Sequence, residues 1–305
     1  MVERNISWPV KTRDLRNHHF DSTAWDEFTY RDDDIVIASY AKSGTTWVQQ
    51  IVAQLVFDGA EGLEVAALSP WLDMRSPPRA EKLALLEAQR HRRFIKTHLP
   101  VDALVFSPRA KYLYIGRDGR DVLWSFRNHH VNANDAYYQR LETDPARGGG
   151  PFDRPKGTIH DYYHAWLDRN GHPYWPYWEN VRAWWDVRHV PNVMLLHFAA
   201  LSRDLAGQIR RIAAFLSIQI DEARWPAILD HCGFAYMKAH AEASVPVRGD
   251  AWAGGARTFI HQGMDGRWRD VLSPAESQKY EAMAERELGA TCARWLATGE
   301  EPDQA

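Results

Sequence analysis

Cysteine is almost missing from this chain. It has two, Cys232 and Cys292, in 305 residues, with no CxxC spacing. That excludes a disulfide-built scaffold and suits a reducing compartment. A basic excess is missing too. The 37 Lys and Arg against 40 Asp and Glu leave a formal net charge of -3, so a dedicated nucleic-acid binder is not expected. Long apolar runs are also absent. Residues 1–16 mix charged and polar side chains, so neither a secretory leader nor a membrane span is expected. No repeat and no linker-like stretch interrupts the chain. The expectation is a cytoplasmic protein, residues 1–305 forming one domain.

Tryptophan is abundant, at 14 residues. Trp166, Trp175, Trp178, Trp184 and Trp185 cluster. Core packing accounts for most such rings, with one or two left over as a wall for a flat ligand. Residues 35–40 form a nearly continuous apolar run rich in β-branched side chains, as in a strand covered on both faces. Residues 94–98, 111–116 and 192–198 predict three more strands. From Trp47, the residues Val48, Ile51, Val52, Leu55 and Val56 recur at helical spacing until Asp58-Gly59. Further helices are expected over about 120–128 and over 206–216. Strands alternating with helices predict an α/β fold with a central parallel sheet flanked by helices. Ligands of such sheets sit at the strands' C-terminal ends. Residues 68–79, 133–157 and 242–257 read as long loops, of the kind that shape pockets.

Four segments carry chemistry. Lys42-Ser43-Gly44-Thr45-Thr46-Trp47 joins the first strand to a helix N-terminus, where unpaired backbone N–H groups and the positive end of the dipole suit an anion. Gly44 lets the backbone approach, three hydroxyls add donors, and Lys42 adds charge. Helix capping by Thr45 or Thr46 would explain one threonine but not the lysine, glycine and second threonine together. The loop is P-loop-like without being a Walker A motif, since its lysine precedes the glycine. Lys96-Thr97-His98-Leu99-Pro100 places a histidine and a lysine at a strand end, where they could act as general base and charge stabiliser. By itself, a packed polar strand end would fit as well. Arg117 leaves the third strand and Ser125 follows on a helix, as a phosphate clamp could be built; taken alone, surface ion pairs of Arg117 or Arg120 with Asp118 or Asp121 are the better reading. The fourth segment is Phe259-Ile260-His261-Gln262-Gly263-Met264-Asp265-Gly266-Arg267-Trp268.

In this order these segments resemble the motifs of cytosolic sulfotransferases, from about Ile35 to Asp270. The resemblance implies a donor, 3′-phosphoadenosine 5′-phosphosulfate (PAPS), with PAP as product, no metal, and a small-molecule acceptor bearing a phenol or alcohol hydroxyl. It implies that Lys42, Ser43, Gly44, Thr45 and Thr46 hold the 5′-phosphosulfate and that Trp47 stacks on adenine. It makes His98 the general base, with Lys96 beside the transferring group and Lys42 and Ser125 also catalytic. Arg117 and Ser125 keep the spacing of a 3′-phosphate clamp. The last segment is similar to the family's RKGxxGDWK motif, with His261 and Gln262 where Arg and Lys are usual and Gly263 retained. Phe198 and Cys232 fall near adenine-contacting positions. A homodimer is open, but Ser273-Pro274 departs from the family's KxxxTVxxxE dimer motif. Two alternatives remain at this stage: a P-loop kinase-like enzyme, and a non-catalytic member that binds PAPS or another anion.

Other signals are given bland roles. His160 and His164 share a helix face, but a third metal ligand is not evident. His18-His19 and His129-His130 read as solvated surface or lid residues. Asp32-Asp33-Asp34 reads as a charged turn, and Arg90, Arg92 and Arg93 as a solvated helix end.

Overall fold

The structure is a computed structural model that describes residues 6–143, 152, 154–171, 174–245, 249–260 and 263–301. Its sheet has four strands: β1 (Ile35–Ser39), β2 (Phe94–Thr97), β3 (Lys111–Gly116) and β4 (Val193–His197). Their order is β2-β1-β3-β4, and every neighbouring pair is parallel. Ala38 pairs with Thr97 and Ser39 with Ile115, so the C-terminal ends lie level.

Side chains of a strand alternate between faces, which explains why the run at 35–40 shows no polar alternation. Ile35, Ile37, Phe94, Leu113 and Ile115 enter one apolar layer with Val48, Ile51, Ile209 and Ile212. The last four come from the helices Thr45–Val56 and Leu205–Leu216. Val36, Ala38, Ile95, Tyr112 and Tyr114 enter the other layer with Trp166, Trp178, Trp184 and Trp185. Each such buried side chain contributes about 1.5–3 kcal/mol.

Some sequence expectations change. Residues 133–157 are not a loop throughout, because the helix Asp135–Thr143 lies within them. Tyr137, Tyr138 and Leu141 of that helix pack with Phe152, Val245, Ala251, Trp252 and Ala256 in a third apolar cluster. The helix expected over 120–128 runs Gly119–Val131, capped by the Asp118 side chain accepting from the Arg120 amide. Arg93 is not solvated, and Asp34 is more than a turn residue. Both are buried, and the Arg93 guanidinium donates to the Asp34 carboxylate at 2.8 and 2.5 Å. This pair clamps the entry of β1 to the entry of β2, where the Ile35 amide donates to the Arg93 carbonyl. No helix among the described residues is long and apolar enough to cross a membrane.

Candidate active site

The four strands deliver their next residues to one cleft. Lys42 follows β1, His98 follows β2, Arg117 follows β3 and Phe198 follows β4, and all four line it.

The loop after β1 is built for close backbone approach. Lys42 has φ 67 and Gly44 has φ 112, both left-handed. A side chain at Gly44 would also come within 2.9 Å of Ile115 and Phe198. Gly44 stands at the N-cap of Thr45–Val56 with no side-chain cap, so neither threonine serves as one. The amides of Trp47 and Val48 donate to the Gly44 carbonyl, whereas those of Gly44, Thr45 and Thr46 find no acceptor among the described residues. The Ser43 hydroxyl is buried and equally without a partner. Orphaned donors beside two cations, Lys42 and Arg117, form an anion cradle. The set therefore fits a phosphosulfate.

Lys42 approaches the His129 ring (Nζ to Nδ1 3.5 Å) and the Phe259 ring centroid (3.8 Å). Burial, then the charges of Lys96 and Arg117, lower its pKa from 10.5 to about 7. Lys96 also lines the cleft, its ammonium 4.8 Å from the Trp71 ring centroid. Burial lowers its pKa to about 8, opposed by Asp73.

His98 is buried at the end of β2. Its Nδ1 lies 2.9 Å from the Ser39 carbonyl oxygen. A carbonyl can only accept, so Nδ1 carries the proton and Nε2 keeps a lone pair. Burial, then Lys96 and Lys42, hold its pKa well below 6.5, opposed by the Ser39 bond. The imidazole is thus neutral and of the tautomer a base needs. Two groups on the helix Tyr177–Asp186 fix this corner: Asn180 donates to the His98 carbonyl at 3.0 Å and Trp184 to the Leu99 carbonyl at 3.0 Å.

Ser39 was missed in the sequence. Its hydroxyl lies 2.5 Å from the Thr45 hydroxyl and 3.2 Å from His98 Nδ1, which wires the anion loop to the histidine. A lone serine ending an apolar run is the only signal that could have shown it.

Arg117 donates to Asp265 at 2.9 Å, to the Met264 carbonyl at 2.8 Å and to the Lys42 carbonyl at 3.3 Å. It braces the C-terminal motif against the anion loop, and its guanidinium also sits 4.0 Å from the Phe198 ring centroid. Arg120, by contrast, pairs with Asp118 at 2.7 Å. Ser125, on Gly119–Val131, lines the cleft with Thr46, Trp47, Phe234, Gly263 and Arg267. Trp47 donates to the Cys232 carbonyl at 2.9 Å, and its ring stands 5.2 Å from that of Phe198. The Cys232 thiol belongs to the apolar layer behind Trp47. His261 and Gln262 lie outside the described residues.

The remaining histidines correct the sequence reading. His18, His19 and His130 are buried rather than solvated. His19 and His129 line the cleft beside Trp71, Tyr137, Tyr174 and Trp175. Aromatic neighbours supplied by residues 137, 152, 174 and 252 enclose them, and no local pattern around His-His foretold this. His160 and His164 both reach Glu276, at 2.8 and 3.2 Å, so they share a carboxylate on a helix start.

A family model described as the sulfotransferase domain matches residues 32–292. A glycolipid sulfotransferase of Mycobacterium tuberculosis is 31% identical over 296 residues, covering 85% of this chain and 86% of its own. Mouse sulfotransferase 1B1 is 26% identical, covering 87% and 86%. Among solved structures, mouse sulfotransferase SULT7A1 complexed with PAP shares the fold with TM-score 0.68 at 20% identity, over 90% of this chain and 92% of its own. Retinol dehydratase in complex with androsterone and PAP does so with TM-score 0.67 at 24% identity, over 87% and 83%. Strand ends, anion loop and family model agree, and the chain belongs to the sulfotransferase family.

Proposed function

We propose that the cleft takes PAPS on the loop 42–47, takes a hydroxyl-bearing small molecule against His98, and joins the two by sulfuryl transfer. The observation that carries this is His98: buried, neutral, its Nδ1–H fixed on Ser39, at the end of a strand and linked through Ser39 to the anion cradle. When bound, the donor supplies an activated sulfuryl group on a phosphate leaving group.

The residues divide the remaining tasks. His98 Nε2 accepts the acceptor's hydroxyl proton. The amides of Gly44, Thr45 and Thr46, with the Ser43 hydroxyl, bind the 5′ end, and Lys42 balances the charge that develops on the leaving oxygen. Lys96 adds charge beside the sulfuryl group. Arg117 and Ser125, with Gly263 and Arg267, take the 3′-phosphate. That gives a cationic side chain to the end that lacks the family's Arg-Lys pair. Trp47, Phe198 and Phe234 offer ring faces for adenine, and Cys232 supports Trp47 through its carbonyl. Trp71, Phe126, Trp175 and Trp252 leave an aromatic wall for the acceptor's apolar body. Two buried, unpaired cysteines suit a reducing compartment such as the cytoplasm.

Membership of the sulfotransferase family removes the kinase-like alternative. The non-catalytic alternative is separated by experiment. The protein is incubated with PAPS and a panel of phenols and alcohols, and PAP release and ester formation are followed together with the melting temperature in PAP. Stabilisation by PAP with ester on at least one acceptor is expected. Stabilisation without any ester supports a binding protein, and the absence of both stabilisation and ester overturns the PAPS reading.

A further inference from the structure

The cleft also carries polar groups that sulfuryl transfer does not use. His19 Nε2 lies 3.0 Å from the Tyr137 hydroxyl, and that hydroxyl lies 3.5 Å from the Tyr174 hydroxyl. The Tyr174 hydroxyl in turn bonds His130 Nε2, and His18 bonds His19. The chain of bonds is buried in aromatic surroundings, yet His19, Tyr137 and Tyr174 line the cleft. The same two indoles touch both histidines that matter. The Trp71 ring centroid is 4.6 Å from that of His98 and 6.5 Å from that of His19, and for Trp175 the distances are 5.8 and 6.3 Å.

A phenolic hydroxyl can enter three bonds, and those of Tyr137 and Tyr174 are each in two, so each has one more to make. A hydroxyl in such surroundings that is left short of a partner costs free energy that a ligand hydroxyl can recover. We propose that His19, Tyr137 and Tyr174 form a second acceptor subsite that selects an uncharged diol: an apolar skeleton with the sulfated hydroxyl at His98 and another hydroxyl at the far side of Trp71 and Trp175. A ligand hydroxyl both donates and accepts, which matches phenols that do the same; an ether or ketone only accepts. Charge is excluded by the surroundings. Burial, then neighbouring histidines, keeps His19 neutral, and burial lowers His130 to about 3 and raises Tyr137. A carboxylate or ammonium placed there would lose its hydration to the surrounding rings.

The inference rests on the transfer reading above. Initial rates with PAPS are measured on 4,4′-biphenol, on 4-phenylphenol and on 4′-hydroxybiphenyl-4-carboxylate. Calorimetric titration of the same compounds into PAP-loaded protein reads the subsite without transfer. The diol should exceed the mono-phenol in kcat/KM by about tenfold, beyond the statistical doubling of its two ends, with the gain in KM. The carboxylate should be poorest. Tyr137→Phe, with Tyr174→Phe as a second variant, should lower the diol more than the mono-phenol and so shrink their ratio. Equal binding of diol and mono-phenol, or a ratio unmoved by both variants, overturns the subsite. A diol preference in calorimetry without ester formation overturns the catalytic role of His98 instead.

Discussion

His98 and Lys42 show how burial converts ordinary side chains into reagents. Because His98 is pushed well below 6.5, it stays deprotonated where a free histidine would charge. The kcat/KM profile for an alcohol should therefore show no acid limb centred near 6.5. Lys42 is pushed to about 7 and must be charged to hold the donor, so kcat/KM for PAPS should fall as pH rises through that value. A profile with its acid limb near 6.5, or flat from pH 6 to about 9, contradicts these assignments. Lys42→Met should lower kcat by about 100- to 1,000-fold, read by steady-state kinetics at saturating PAPS. At this scale the sequence was informative where a residue type is tied to a chemical task. Lys42, His98 and Arg117 could be named because charge and basicity are properties of single side chains. Ser39 and His19 could not, because their roles come from partners 59 and 118 positions away.

Among elements, the strand–loop–helix unit from Ile35 to Val56 carries the donor end. Gly44 is its tightest point. Gly44→Ala forces a side chain to φ 112 and toward Ile115 and Phe198, which should cost about 1–3 kcal/mol of stability and weaken PAP binding in the same titration. The entry to the sheet depends on Asp34 and Arg93. Asp34→Ala would strand a buried guanidinium and should cost about 3–5 kcal/mol in urea unfolding, whereas an exposed pair such as Arg109–Asp32 should cost under about 1. The strands were legible because a sheet covered on both faces demands unbroken apolar runs. The helix Asp135–Thr143 was not, since Gly148-Gly149-Gly150 and Pro151 after it dominate the local composition. Its Tyr137, Tyr138 and Leu141 are held by residues 245 and 252, beyond any local window.

At the scale of the whole molecule, Lys42, Lys96 and Arg117 are gathered at one end of the sheet at a cost that the donor relieves. Unfolded, Lys42 and Lys96 would titrate near 10.5; folded, they do so at about 7 and about 8. Between the folded and unfolded values the unfolded chain binds more protons, so the free protein should gain stability as pH rises through that window and lose it as pH falls. A bound anion favours the charged lysines and reverses the trend. PAP should therefore raise the melting temperature more at about pH 6 than at about pH 9; an equal rise at both would remove the lysines from donor binding. The measurement that most directly tests the central claim compares His98→Ala with the unaltered chain, using PAPS and one productive acceptor, with PAP affinity titrated in parallel. Unchanged PAP affinity with ester formation slower by about 100- to 10,000-fold is the result expected of a lost general base. Undiminished ester formation in the variant would show that the hydroxyl proton leaves by another route, and the assignment of His98 would be wrong.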